Sequence, residues 1–239
     1  MHAPCLMTCC RSVTASFLSF LFPPTCLACR SLLSNVAEVL CFSCAQSLRR
    51  VDPEDAVYQQ TLAALAANGS IDQLRAPFYF EKAGALQELL HQLKYNGMTR
   101  VGRLVGAEIA KTLDGLALSE DALIVPVPLH RTKFRERGYN QADYVGRGIA
   151  GALGLRVLSR AVHRTVYTKS QTKLDSVQRA KNVEGVFKLA NGAEDLLRGK
   201  TILLVDDVIT TGATIRSCAL TLREAKPASI IACAVALAQ

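Results

Sequence analysis

Hydrophobic positions divide the chain into an irregular start and a regular remainder. Residues 1 to about 50 carry turn signals and little periodicity. Residues 51–75 hold two breaks, Asp52-Pro53-Glu54-Asp55 and Asn68-Gly69-Ser70, around a short Ala/Leu-rich helix. From Pro77 the pattern becomes regular. Phe78-Tyr79-Phe80 suits a strand, and Leu86, Leu89, Leu90 and Leu93 recur at helical spacing. After the Asn96-Gly97 break, a second helix runs from about Thr99 to Leu113. Leu123 to Pro128 reads as a buried strand closed by prolines, and Tyr139, Ala142, Val145 and Ile149 give a helix from Tyr139 to Leu153. A short strand near Leu155 to Leu158 precedes residues 165–178, a polar stretch that reads as a long mobile loop. Thr201 to Val205 is a buried strand, Thr214 to Glu224 a helix, and Ile230 to Leu237 a last buried strand. Strands apolar on both faces, alternating with helices, predict a parallel sheet covered on both sides.

The expected organisation is therefore a cysteine-rich module over 1–50, a linker with a short helix over 51–76, and an α/β domain over 77–239. No internal repeat or low-complexity segment interrupts it. Half the residues are apolar, enough for a sizeable core. No apolar run reaches the length of a membrane span. Val13 to Phe22 is apolar behind a single Arg11. It lacks the basic start and small-residue cleavage site of a secretory signal, so it is read as a lead-in helix on the module. A cytoplasmic protein follows as the expectation.

Net charge changes the picture because it is local. The chain carries +8, whereas Leu129 to Lys181 alone holds 12 Lys or Arg against Glu136, Asp143 and Asp175. An anionic ligand near that window explains the excess, and a solvated basic face is the plainer alternative. Cysteine is local too. Seven of nine lie in the first 44 residues, while Cys218 and Cys233 sit in an apolar helix and strand as core residues.

The segment Val205-Asp206-Asp207-Val208-Ile209-Thr210-Thr211-Gly212-Ala213-Thr214 couples a buried strand to a helix. At the carboxyl end of a parallel strand, such a loop is where open sheets bind ligands. Asp206 and Asp207 would emerge at the strand's end and accept hydrogen bonds from vicinal ribose hydroxyls. Thr210, Thr211 and Thr214 supply hydroxyls, and Gly212 lets the backbone approach closely. The amides from Thr210 to Thr214 open a helix whose N-terminus favours a dianion. Neither the Gly-x-x-x-x-Gly-Lys-Ser/Thr loop nor Gly-x-Gly-x-x-Gly is present there. A tight strand-to-helix turn would explain one threonine but not paired carboxylates beside a hydroxylated nest.

Cys26-x2-Cys29 and Cys41-x2-Cys44 are separated by eleven residues. Two such pairs complete a four-thiolate structural zinc site. A redox pair is the rival reading, without the βαβ context of thioredoxin-like motifs. Cys5, Cys9 and Cys10 have no comparable partners.

Leu203 to Thr214 resembles the phosphoribosyl pyrophosphate loop of type I phosphoribosyltransferases. Further motifs resemble the ComF family of competence proteins, relatives of amidophosphoribosyltransferase. They are Phe22-Pro23-Pro24-Thr25-Cys26, Leu93-Lys94-Tyr95-Asn96-Gly97, Val125-Pro126-Val127-Pro128, Arg137-Gly138-Tyr139-Asn140-Gln141, and Gln171 with Arg179 and Asn182. The resemblance implies an α/β, parallel-sheet phosphoribosyltransferase domain with a small N-terminal zinc-ribbon-like module. It implies phosphoribosyl pyrophosphate or a nucleotide bound with Mg²⁺, and structural Zn²⁺ on Cys26, Cys29, Cys41 and Cys44. Val127 to Arg131, including Pro128, Leu129, His130 and Arg131, would form a pyrophosphate loop. Residues 165–182 would be a lid bringing Gln171, Lys173 and Arg179 over the site.

Arg137 and Asn140 open the next helix, where they either contact ligand or only cap it. Lys94 either faces its own helix dipole or joins Asp206, Asp207 and Arg179 in catalysis. ComF relatives often carry a second cysteine ribbon, but residues 45–217 hold no cysteine. No glutaminase segment is present, which argues against the glutamine-dependent reaction. Two functions stay open: transfer of a phosphoribosyl group to or from a nitrogenous acceptor, and a non-catalytic nucleotide- and single-stranded-DNA-binding protein of the transformation machinery. The DNA reading draws on the basic window, although the chain is only 6% aromatic and Tyr139 and Tyr167 are its candidate stacking residues there.

Overall fold

The computed structural model describes residues 23–165 and 186–238. Its elements, numbered here in chain order, begin with α1 (Phe42–Gln46) and α2 (Ala56–Ala66), then β1 (Gln73–Arg75) and β2 (Phe78–Phe80). Helices α3 (Ala85–Tyr95) and α4 (Thr99–Lys111) lead to β3 (Leu123–Pro126), followed by α5 (Arg131–Arg137) and α6 (Gln141–Leu153). Next come β4 (Arg156–Val157), β5 (Val162–Arg164), β6 (Phe187–Leu189) and α7 (Ala193–Leu197). The last elements are β7 (Thr201–Ile209), α8 (Ala213–Arg223) and β8 (Ser229–Ala238).

The main sheet is parallel throughout, in the order β1-β8-β7-β3-β4, with β2 also on β8. Strand β1 pairs with residues 231–233 of β8 and β2 with residues 236–238, so the two share one edge. Between them lies Pro77, which has no N–H to give a ladder and breaks the edge strand in two. Strand β8 breaks its alternation opposite this gap. Ile230, Ala232 and Ala234 face one core, and Ile231, Cys233 and Val235 the other. Ala236 then joins Val235's side, and Leu237 the first.

Helices cover both faces, as the doubly apolar strands require. One core joins Tyr58 and Leu65 of α2, Leu197 of α7, and Ile215, Cys218 and Leu222 of α8 to the sheet. The other joins Leu86, Leu89, Leu90 and Leu93 of α3, Val101, Val105 and Ile109 of α4, and Val145 and Ile149 of α6. Helices α4 and α6 meet backbone to backbone. A Cβ at Gly106 would lie 2.1 Å from the Val145 carbonyl oxygen, and one at Gly148 would lie 2.2 Å from that of Arg103.

Several features differ from the sequence expectations. The segment 51–76 supplies the anticipated helix, but it also buries Tyr58 and Leu65 and adds β1 to the sheet edge. Strand β7 does not stop at Val205; it stays paired with β8 through Ile209. Residues 131–137 form a helix of their own, and the following helix starts at Gln141 rather than Tyr139. Strands β5 and β6 make a small antiparallel pair outside the main sheet. Cys218 and Cys233 are fully buried, one in α8 and one in β8. Among the described residues no helix is long and apolar enough to cross a membrane. The lead-in stretch 13–22, the cysteines Cys5, Cys9 and Cys10, Tyr167, and the lid residues Gln171, Lys173, Arg179 and Asn182 lie outside the described residues.

Candidate functional site

The two carboxylates on β7 take opposite directions because strand side chains alternate. Asp207 lies on the side of α3 and α6. Its Oδ2 is 2.6 Å from Lys94 Nζ and accepts from Gln141 Nε2 at 3.2 Å, while its Oδ1 accepts from the Val208 N–H at 2.8 Å. This group is 7% exposed, and its partners come from two helices far apart in sequence. Asp206 lies toward α8 and β5, where Arg164 and Cys218 interact with it electrostatically. Its Oδ1 accepts from the Asp207 N–H at 2.8 Å. Burial and the adjacent Asp207 carboxylate push Asp206 up to about 7. The sequence reading had both groups emerge at a strand end. They sit within β7 and differ sharply in surroundings.

Lys94 reaches Asp207 from the last turn of α3, so its contact is with the site and not merely with its own helix end. That turn is clamped, because the Tyr139 hydroxyl donates to the Leu93 carbonyl.

Past Ile209 the chain turns through Thr210 and Thr211, both exposed, into α8. Gly212 caps that helix with φ 71°, a left-handed conformation that favours glycine. Space selects glycine as well: a Cβ there would lie 2.4 Å from Leu65 Cδ2, so α2 supports the loop from beneath. Ala213 and Thr214 form the first turn of α8, whose leading N–H groups have no partner within the helix.

The loop after β3 begins where the Val127 N–H bonds the Val205 carbonyl at 2.8 Å, tying it to β7. Asn140 holds the other side. Its Nδ2 donates to the Val127 carbonyl at 3.0 Å, and its Oδ1 accepts from the Ala142 N–H at 3.2 Å, capping α6. His130 caps α5, with Nδ1 accepting from the Thr132 N–H. Arg137 does not open the next helix; it closes α5, because Gly138 at φ 77° ends that helix before Asn140 starts α6.

Pro128, Leu129, His130, Arg131 and Asn140 line a cavity of about 710 Å³. Its far wall contains residues no motif had marked: Asp143, Arg147, Ser159, Arg160, His163 and Arg164. Asp143 is the one acid in that lining. Burial raises its pKa, and Ser159 hydrogen-bonds it while Arg147 adds charge nearby. Burial also lowers Arg164, an effect opposed by Asp206. The only sequence signal for this wall was the diffuse basic excess of residues 129–181, because its members are scattered over α6, β5 and the turn before β5.

The four cysteines converge. The sulfurs of Cys26, Cys29, Cys41 and Cys44 all lie within 4.8 Å of one another, and Cys29 Sγ is 3.7 Å from Cys41 Sγ. A tetrahedral zinc with bonds of about 2.3 Å sets its sulfurs about 3.8 Å apart, so the donor set and spacing fit the ion. The thiols differ in the absence of charge to share. The Ser31 hydroxyl and N–H hold Cys29 down at about 6, whereas burial and the other three thiols push Cys44 up to about 12. The module packs on the sheet domain through Leu27, in the core with Phe78 and Leu86, and through Arg100, which donates to the Val36 and Glu38 carbonyls.

The chain is similar to several known proteins. Residues 149–239 match the phosphoribosyl transferase domain family. The chain is 34% identical over 139 residues to the DNA utilization protein YhgH of Escherichia coli K12, a match covering 56% of this chain and 59% of that protein's length. Competence protein F of Haemophilus influenzae is 36% identical over 115 residues, covering 48% of this chain and 49% of that protein. Competence protein ComFC of Bacillus subtilis is 25% identical over 219 residues, 88% of this chain and 84% of that protein. With a parallel sheet of this order, a carboxylate-headed hydroxylated loop on its β7 strand and a four-cysteine module before it, the chain carries a region similar to the phosphoribosyl transferase domain and resembles the competence proteins F and ComFC.

Proposed function

We propose that the domain over 77–239 binds phosphoribosyl pyrophosphate or a nucleotide with Mg²⁺ and transfers the phosphoribosyl group to or from a nitrogenous acceptor. The observation that carries this reading is the head of the β7 loop, where Asp206 and Asp207 stand beside Lys94 and a glycine-capped helix. In it, the 5-phosphate rests on the N–H groups and hydroxyls of residues 210–214 at the start of α8. Asp206 and Asp207 accept from the ribose hydroxyls, with Lys94 offsetting the charge of Asp207. Pyrophosphate enters the cavity behind Pro128 to Arg131, where the basic residues neutralise it. Mg²⁺ would bind mainly to ligand oxygens next to Asp206, drawing electrons from the leaving group. The bond from C1 to the pyrophosphate oxygen breaks with its electron pair on that oxygen, and the acceptor nitrogen's lone pair forms the new bond to C1. Gln171, Lys173 and Arg179 belong to this proposal as a covering segment. The module over 1–50 holds zinc, and 51–76 joins it to the transferase domain.

The far cavity wall favours a second reading. Arg147 and Arg160 add positive charge beyond what a pyrophosphate needs, and relatives are named for DNA utilization and competence. In that reading the pocket binds a nucleotide, the basic surface holds single-stranded DNA, and the protein serves in DNA uptake without catalysis.

Calorimetric titration of phosphoribosyl pyrophosphate with Mg²⁺ separates them. Wild-type protein is expected to bind, and an Asp206→Asn/Asp207→Asn variant with an intact melting transition is expected to bind at least about 100-fold more weakly, having lost two charge-assisted acceptors. No heat from either protein rejects the transferase reading.

A further inference from the structure

Asp207 is held by several donors, and two of them converge on one oxygen. Lys94 Nζ and Gln141 Nε2 both reach Oδ2, at 2.6 and 3.2 Å, while the Val208 N–H takes Oδ1. A carboxylate oxygen accepts about two hydrogen bonds, so Oδ2 is closed to a further donor. A ribose hydroxyl accepted there must displace one of the two. Lys94 is the group in its way, because its side chain is 25% exposed whereas Gln141 is buried.

Gln141 carries an unused acceptor. It is the first residue of α6 and 5% exposed, and its Oε1 is buried without a hydrogen-bond partner. The amide cannot turn over to satisfy that oxygen, because the turn would set it against the Asp207 carboxylate. A buried carbonyl left without a donor is costly. The Lys94 ammonium has three N–H groups and shares Oδ2 with the same amide, which makes it the donor within reach. A glutamine that only props Asp207 explains Nε2 and leaves Oε1 without a purpose.

We infer that Gln141 is a positioning residue that gives Lys94 a second seat when ribose binds. As a sugar hydroxyl takes Oδ2 of Asp207, the ammonium moves onto Gln141 Oε1 and stays beside the carboxylate it neutralises. Positive charge is thus kept next to Asp207, and the buried carbonyl gains its missing donor. Only hydrogen bonds are exchanged, and no proton changes hands. The inference rests on the ribose being held at Asp206 and Asp207. It deepens that reading by assigning the exchange that opens Asp207 to the sugar.

The test uses the full chain and two sugars, 1-O-methyl ribofuranose 5-phosphate and its 2,3-dideoxy analogue, titrated by calorimetry. Wild-type protein should prefer the diol by roughly 100-fold, the worth of hydrogen bonds to a charged acceptor. Gln141→Met keeps the length of the side chain and removes both polar ends, and it should cut that preference to below about tenfold. Gln141→Glu keeps an oxygen for Lys94 but no donor for Asp207, and it should retain the preference. Melting curves establish that each variant is folded, and Gln141→Glu carries the test if Gln141→Met does not fold. Equal weakening of both sugars by Gln141→Met, with the preference intact, overturns the second seat and leaves the glutamine a prop. Loss of the preference in Gln141→Glu overturns it too, because the donor to Asp207 then carries the effect. A wild-type protein that binds both sugars alike, or neither, fails the ribose site on which the inference rests, and this shows before any variant is compared.

Discussion

Strand β8 and the cysteine module are held together by different physics. Along β8, eight consecutive residues from Ile230 to Leu237 are buried. Between residues 23 and 50 the buried positions are Cys26, Leu27 and Leu33, and α1 buries none of its five residues. The sheet domain closes by apolar burial on two faces. The module has too little apolar area to repay the entropy of ordering its backbone, and small units of this kind need a metal or disulfides. Its thiols are free and convergent, an arrangement that could hold a metal ion. One chain therefore contains a part that folds by exclusion of water and, on the proposed zinc reading, a part whose closure would depend on an ion.

Removing the ion is the strongest way to break that comparison. Structural zinc in small sites contributes apparent binding energies on the order of 10 kcal/mol or more, far above what three buried residues provide. Dialysis against a chelator, or Cys44→Ser, is expected to open residues 23–50 to protease while the sheet still melts cooperatively. Mass spectrometry of the first cleavage products, alongside zinc quantification, reads the result. Continued protection of the module after complete metal loss would show that its contacts through Leu27 and Arg100 suffice.

The converse break targets the sheet domain alone. Gly148 faces the Arg103 carbonyl so closely that a methyl group cannot enter without moving α4 away from α6. Gly148→Ala should cost about 3 kcal/mol, the upper part of the range for overpacking, because the obstructing atom is backbone. For a chain of this length that lowers the melting temperature by roughly 6–12 °C. Zinc content should not change. A melting temperature within a degree or two of wild type would mean that the helices separate freely.

What could be read in the sequence follows the same division. Helices α3 and α4 and strands β7 and β8 were legible because long buried segments impose a period or an unbroken apolar run. The turn from β7 into α8 was legible because its residues are contiguous. Helix α5 was not, since Arg131 to Arg137 buries no residue and so carries no apolar stripe. The β5–β6 pair was missed because three-residue strands leave too short a pattern. Lys94 was undecided between two roles; its contact with Asp207 spans 113 residues and depends on how α3 crosses the sheet. The wall of Asp143, Arg147 and Arg160 gave only the diffuse basic excess of its window, because its meaning comes from neighbours on other elements.

The smallest effect separates the two carboxylates within the sheet domain. Asp206 is pushed from an ordinary value of 3.8 up to about 7 by burial and by Asp207. Between about pH 4 and 7 the native state then retains a proton that the unfolded chain has released. Stability therefore falls as pH climbs through that window and levels off above it. Asp206→Asn keeps an oxygen to accept from the Asp207 N–H and abolishes the titration. Relative to wild type it should gain roughly 2 kcal/mol at pH 8 and nothing at pH 4, with part of the full shift discounted because the carboxyl is not sealed from solvent. Denaturant unfolding at the two pH values measures the difference. A more stable protein that binds ligand less well would mark Asp206 as a residue kept for the site at the expense of the fold. Equal stability of variant and wild type at pH 8 would mean that Asp206 ionises without penalty and that its neighbours are better compensated than burial suggests.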